Sequence, residues 1–234
     1  MKIRVAVKSC LPCLLGIAFG WCAFADVNVD SLLQESAMWL DASDPVLFQL
    51  NETGGVTNWI NRSTSGRAAY GDAKAYHVNP NKPQCFGAVE LVNGAPAYQM
   101  FSIGSYVDLT YGRISTIRTV FLVGDFENKN SAWNPLLGDS AACNFHRGLN
   151  GEFVHATYRD YKGTITAWHN SATTTVNSSS AKPTTGAMNF IILATAGNTQ
   201  SDLLSGDRTT RASGAMPDRC AGRALHEVII FTRR

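Results

Sequence analysis

The run Leu225-His226-Glu227-Val228-Ile229-Ile230-Phe231, close to the end of the 234-residue chain, constrains the fold more than any other stretch. It is apolar, rich in β-branched side chains, free of Gly and Pro, and preceded by Gly222. A short run of that kind predicts a central strand of a sheet covered on both faces. Its partners must come from far upstream, so the sheet closes only when the whole chain is present. The predicted partner is Thr119 to Gly124, inside the second long apolar run Ile117 to Phe126, with Met38 to Leu40 nearby.

The rest of the chain reads as short strands separated by turns. Asp30 to Glu35 predicts one helical turn with Asp30 as its N-cap. Met38-Trp39-Leu40 predicts a short strand running into the turn-rich Asp41-Ala42-Ser43-Asp44-Pro45. Leu50 to Pro83 is polar and reads as long loops around one strand, Val56 to Ile60. Ala88 to Val92 and Ala95 to Phe101 flank Asn93-Gly94, the strongest hairpin signal in the sequence. Ser105 to Thr110 alternates polar and apolar residues, as a half-buried strand does. Further strands are predicted at Asn134 to Leu137, Glu152 to Tyr158, Thr164 to His169, Ala187 to Thr195 and Asp202 to Ser205. No long amphipathic helix is predicted. A dozen or so short strands without helix mean an antiparallel sandwich or barrel, and the absence of an internal repeat argues against a propeller.

Charge and cysteine usage both depend on the first residues. Lys2, Arg4 and Lys8 precede an apolar segment, Cys10 to Phe24, that ends in Ala23-Phe24-Ala25. That pattern predicts a secretory signal over residues 1–25, leaving one domain over 26–234. The apolar segment is short for a membrane span and no basic stop-transfer cluster follows it, so no membrane insertion is expected once the signal is removed. Its removal takes three of the 20 basic residues and leaves 17 against 18 acidic ones. No dense Lys/Arg cluster remains, which argues against nucleic acid as a partner. Cys85, Cys143 and Cys220 also remain, at spacings that match no zinc motif. They allow at most one internal disulfide, and three buried free thiols are an equal reading.

Several segments resemble one family. Met38-Trp39-Leu40-Asp41-Ala42-Ser43-Asp44 is similar to the opening strand of secreted bacterial LamG-like, concanavalin A-like jelly-roll domains. Thr119 to Gly124 resembles their central back-sheet strand, and Leu136-Leu137-Gly138-Asp139 the turn-bearing strand after it. Gly206-Asp207-Arg208 and Gly222 to Phe231 resemble the closing hairpin. The resemblance implies an all-β fold of two antiparallel sheets in a jelly-roll sandwich, with concave-face or rim loops open to a ligand. It also implies bacterial export, to the cell surface, the periplasm or the medium. The superfamily includes lectins, carbohydrate-binding modules and glucanases, so fold alone does not settle function.

Catalytic patterns are missing. Glycoside hydrolysis needs two carboxylates flanking the bond, and the superfamily's glucanases carry them as Glu-x-Asp-x-x-Glu. Glu127, Glu152 and Glu227 each lack a carboxylate two residues on. Glu227 reads as a scaffold residue paired with Arg208 or Arg223. Serine-hydrolase, His-Glu-x-x-His and P-loop patterns are absent too. The expectation is a non-catalytic module.

Binding chemistry is present instead. Sugars are held by aromatic faces and by planar amide, carboxylate and guanidinium groups. Trp133, Asn134, Asp139, His146, Arg147 and Trp168 supply that combination, with a glycan or cell-surface polymer as the expected partner. The competing reading places Trp133 and Trp168 in the core. A structural or adhesive module contacting protein or a cell surface, and a divergent glycoside hydrolase, are the alternatives. No cofactor is expected; a structural calcium would have only Asp139, Asn144 and Asp207 to draw on. Asn51-Glu-Thr53, Asn61-Arg-Ser63 and Asn177-Ser-Ser179 match the glycosylation acceptor pattern, which carries no weight in a bacterial protein.

Overall fold

A computed structural model describes residues 28–77, 88–92, 94–99, 105–109, 113–126, 137–138, 166–169, 172–174, 184, 186–201, 203–204 and 222–233. In chain order the elements are α1 (Val29–Gln34), β1 (Met38–Asp41), a 3-10 turn (Pro45–Leu47), β2 (Phe48–Leu50), β3 (Val56–Trp59) and α2 (Thr64–Tyr70). Then come β4 (Ala73–His77), β5 (Ala88–Val92), β6 (Ala95–Gln99), β7 (Ser105–Leu109), β8 (Ile114–Phe126) and β9 (Leu137–Gly138). The last are β10 (Thr166–His169), β11 (Ala172–Thr174), β12 (Asn189–Ser201), β13 (Leu203–Leu204) and β14 (Gly222–Phe231).

The strands form two wholly antiparallel sheets. One has eight strands in the order β11-β10-β12-β8-β14-β6-β5, with β1 also on β14; the other runs β2-β3-β4-β7-β13-β9. The chain is therefore all-β with little helix, as its pattern of short strands required.

β14 is central, as predicted. Along one edge it pairs with β8, from Gly222↔Phe126 to Phe231↔Thr119. Its other edge is shared: Ala224 and Leu225 pair with β6, and Glu227 to Ile230 pair with β1. The register of the β8 ladder shifts between Leu225 and Glu227, near the point where that second edge passes from one partner to the other.

Register explains which side chains form the core. Directly opposed residues of an antiparallel ladder project to the same face. Leu193, Val120, Ile230 and Met38 form one such row across β12, β8, β14 and β1, and Ile191, Leu122, Val228 and Leu40 form the next. All eight are at most 1% exposed. They join Val56, Trp59, Ala73 and Leu137 of the six-stranded sheet in one apolar cluster, so both sheets share a core. Burying such side chains contributes about 1.5–3 kcal/mol each.

The opposite face of the eight-stranded sheet carries Trp39, Ile229 and Phe231, packed with Phe121 and with Leu33 of α1. Phe121 and Phe231 meet edge to face at 6.1 Å. Cover fades toward β12, where Phe190 is 55% exposed. The expectation that β14 is covered on both faces therefore holds at its β1 end.

The local signals were read unevenly. The two-residue turn between β5 and β6 is as predicted, with Gly94 at φ +78°, a conformation that favours glycine. The helical turn starts earlier than expected: Asn28, not Asp30, is the N-cap, its side chain accepting the Asp30 and Ser31 N–H groups. Within the segment read as loops around one strand lie α2 and β4 as well, and β2 ends at its first residue, Leu50. α2 is capped by Ser63 and seated by Gly66, where a Cβ would come within 2.3 Å of Ala37 O. Propensity over seven residues is too weak to reveal such a helix; its cap and its docking against residues 36–37 hold it.

Candidate functional site

Of the six residues expected to meet a ligand, Trp133, Asn134, Asp139, His146 and Arg147 lie outside the described residues, as do Asn144, Asp207 and the three cysteines. Trp168 is described through its backbone alone. It sits in β10, opposite Ile192 of β12 and Thr173 of β11. From Ile192 the register continues to Phe121, Ile229 and Trp39, which places Trp168 at the far end of a row crossing the eight-stranded sheet.

The best-defined polar constellation lies at the other end of that row, where β1, β14 and the chain after β3 converge. It is organised by Asn61, 1% exposed. The Asn61 side chain accepts the Trp39 N–H at 2.9 Å and the Ser63 N–H at 3.1 Å, and donates to Ala37 O at 3.2 Å. Arg62 N–H then donates to Trp39 O at 2.8 Å. Residues 61 and 62 thereby satisfy the edge of β1 that faces away from β14, which would otherwise be open. Ser63 completes the junction, its hydroxyl meeting the Gln34 and Ser36 carbonyls and accepting the Gly66 N–H at 3.0 Å. The Asn61-Arg-Ser63 triplet is thus a structural knot, with its amide already engaged.

Alternation along β1 turns Trp39 and Asp41 outward together. The Asp41 carboxylate accepts the Ser43 N–H at 2.9 Å and its hydroxyl at 2.6 Å, and pairs with Arg62 Nη1 at 2.5 Å. The Arg62 guanidinium lies 4.5 Å from the Trp39 ring centroid, a cation–π stack. Trp39 Nε1–H donates to Glu227 Oε1 at 2.9 Å. Burial pushes the Glu227 carboxyl above its ordinary range; the Trp39 hydrogen bond lowers it, the Asp41 charge raises it and the Arg62 charge lowers it. Among the described side chains, Glu227 is held by Trp39, with Arg62 beside it; Arg208 and the Arg223 side chain, its expected partners, lie outside the described residues. The signal for Trp39 and Asp41 was present in the alternation of Met38 to Asp41; that Arg62 and Glu227 would meet them across the fold was not.

On the other side of β14, buried His226 has its Nδ1 2.8 Å from Pro96 O of β6, while its Nε2 has no hydrogen-bond partner among the described residues. Among the described residues no three His, Cys, Asp or Glu side chains gather as a metal site would require, and no helix is long and apolar enough to cross a membrane. Chemically, the Trp39–Asp41–Arg62–Glu227 cluster is a clamp: its carboxylates accept hydrogen bonds from the protein's own donors and tie β1 to β14. Comparison with protein-family models, with curated proteins and with solved structures finds no match to this chain.

Proposed function

We propose that the protein is an exported, non-catalytic binding module that recognises a glycan through loops at the rim or concave face of a jelly-roll sandwich. The observation that carries the reading is the pairing of two antiparallel sheets over one core, with the last strand central and the first beside it. That is the arrangement expected of LamG-like, concanavalin A-like domains, which the segments around Trp39, Val120 and Ile229 resemble. The engagement of Asp41 and Glu227 with internal donors favours a scaffold role for these carboxylates over a hydrolytic one. Trp133, Asn134, Asp139, His146, Arg147 and Trp168 are the ligand-binding residues under this reading.

The test is a glycan array and polysaccharide pull-down with purified protein, alongside Trp133→Ala and Trp168→Ala. Retention on at least one glycan class is expected, with a loss of roughly five- to thirtyfold on removing a stacking ring, since a ring–sugar stack contributes about 1–2 kcal/mol. Retention on no glycan class, or retention unchanged in both variants, overturns it. Export from a bacterial host with a mature chain beginning at Asp26 tests the localisation.

A further inference from the structure

The outer-face cluster contains an imbalance. Asp41 and Glu227 stand directly opposite each other across the β1–β14 ladder, and like charges so placed repel. Arg62 is the cation of the cluster, and it is committed to Asp41 and to the Trp39 ring. Among the described side chains, Glu227 hydrogen-bonds a neutral donor, the Trp39 indole. The described residues of the neighbouring elements do not redress this. β8 presents Val123 opposite Glu227, and the acid two residues further along, Asp125, accepts the Gly186 N–H at 2.9 Å. α1, which packs Leu33 on this face, carries Asp30 and Glu35, and Glu35 pairs with Arg233. His226 turns to Pro96 of β6. Among the described side chains, one cation serves two opposed carboxylates.

We propose that this cluster is a latch between β1 and β14 that a proton on Glu227 tightens and the loss of that proton loosens. The neutral carboxyl keeps an oxygen for the Trp39 N–H and ends the repulsion across the ladder. Burial of the Glu227 carboxyl, reinforced by the Asp41 charge, raises it above the ordinary value of 4.5. A carboxyl raised on folding contributes stability that is complete below its unfolded value and is lost as pH climbs through its folded one. The junction is therefore firmest in mild acid and loosens toward neutrality.

Hydrogen exchange of the full chain, corrected for intrinsic rates, reads the latch directly. Protection of the β1–β14 ladder amides is expected to fall as pH rises from about 4.5 toward neutrality, by up to about tenfold per pH unit crossed before Glu227 is ionised in the folded chain. Glu227→Gln keeps the acceptor for Trp39 and removes the charge. Its ladder should lose this pH dependence and be at least as protected as wild type at neutral pH. Parallel profiles for the two proteins overturn the proposal. Should the variant fail to fold, the wild-type profile decides: ladder protection that is flat or rises toward neutrality overturns it.

Discussion

At the scale of single residues, Asn61 does work that its composition class conceals. A short polar side chain in a polar stretch reads as a surface turn, yet three hydrogen bonds commit it to β1, to Ser63 and to the carbonyl of Ala37. Replacement by alanine leaves two buried N–H groups and one carbonyl without that partner. The expected loss is about 2–4 kcal/mol of unfolding free energy, since orphaned buried groups cost about 1–3 kcal/mol each. Denaturant titration of Asn61→Ala measures it; a loss below about 0.5 kcal/mol would mean water replaces the amide without cost. Residues of this kind resist sequence reading because their partners, 22 to 24 positions away, are set by the path of the chain. Glu227 shows the same limit from the other side. Its neighbours in sequence give no hint of its partner, which lies 188 positions upstream at Trp39.

At the scale of elements, apolar periodicity carried most of what was legible. The runs at Met38, Thr119 and Leu225 each announce a buried strand, and the ladders join all three. The Asn93-Gly94 turn announced its hairpin because backbone preference at a two-residue turn outweighs context. Short elements were illegible for a physical reason. β2, β4 and α2 span three to seven residues and are held by neighbours: Phe48 by stacking on Trp59 at 5.0 Å, β4 by its ladder to β7, α2 by the Ser63 cap. The candidate ligand-binding residues, apart from the backbone of Trp168, lie outside the described residues. β14 provides the element-scale prediction. Truncation before Leu225 removes the Leu225, Val228 and Ile230 side chains from the core and strips β8, β6 and β1 of their shared partner. The truncated chain should not fold and should aggregate through the exposed strand edges. A soluble product that melts cooperatively would show that the sheet closes without it.

At the scale of the whole molecule, two sheets are joined both by apolar packing and by the backbone itself. β12 ends at Ser201 in the eight-stranded sheet, and β13 begins at Leu203 in the six-stranded one. The Ser201 hydroxyl, donating to Gly138 O at 2.8 Å, bridges the two sheets at that crossing. Near it the β12–β8 register breaks twice, and Thr195 and Thr199 turn their hydroxyls to Ile117 O. Irregularity of this kind lets one strand serve a sheet and then leave it.

The pairing of Met38 with Ile230 has a mechanical side. Ala37 N–H donates to Ile230 O, and Glu35 pairs with Arg233, so the chain reaches the sheet and leaves it at neighbouring points. Tension applied through those two points opens the β1–β14 ladder one hydrogen bond at a time, starting at Ala37, because both strands are pulled from the same end. Shearing, which loads every bond of a ladder together, would require the pulling points at opposite ends. Single-molecule stretching should show β1 peeling away at low force before the β8–β12 core yields, and one high-force rupture would contradict it. A load passing along a longer polymer of such units would cross each one at this seam and leave the rest of its fold slack.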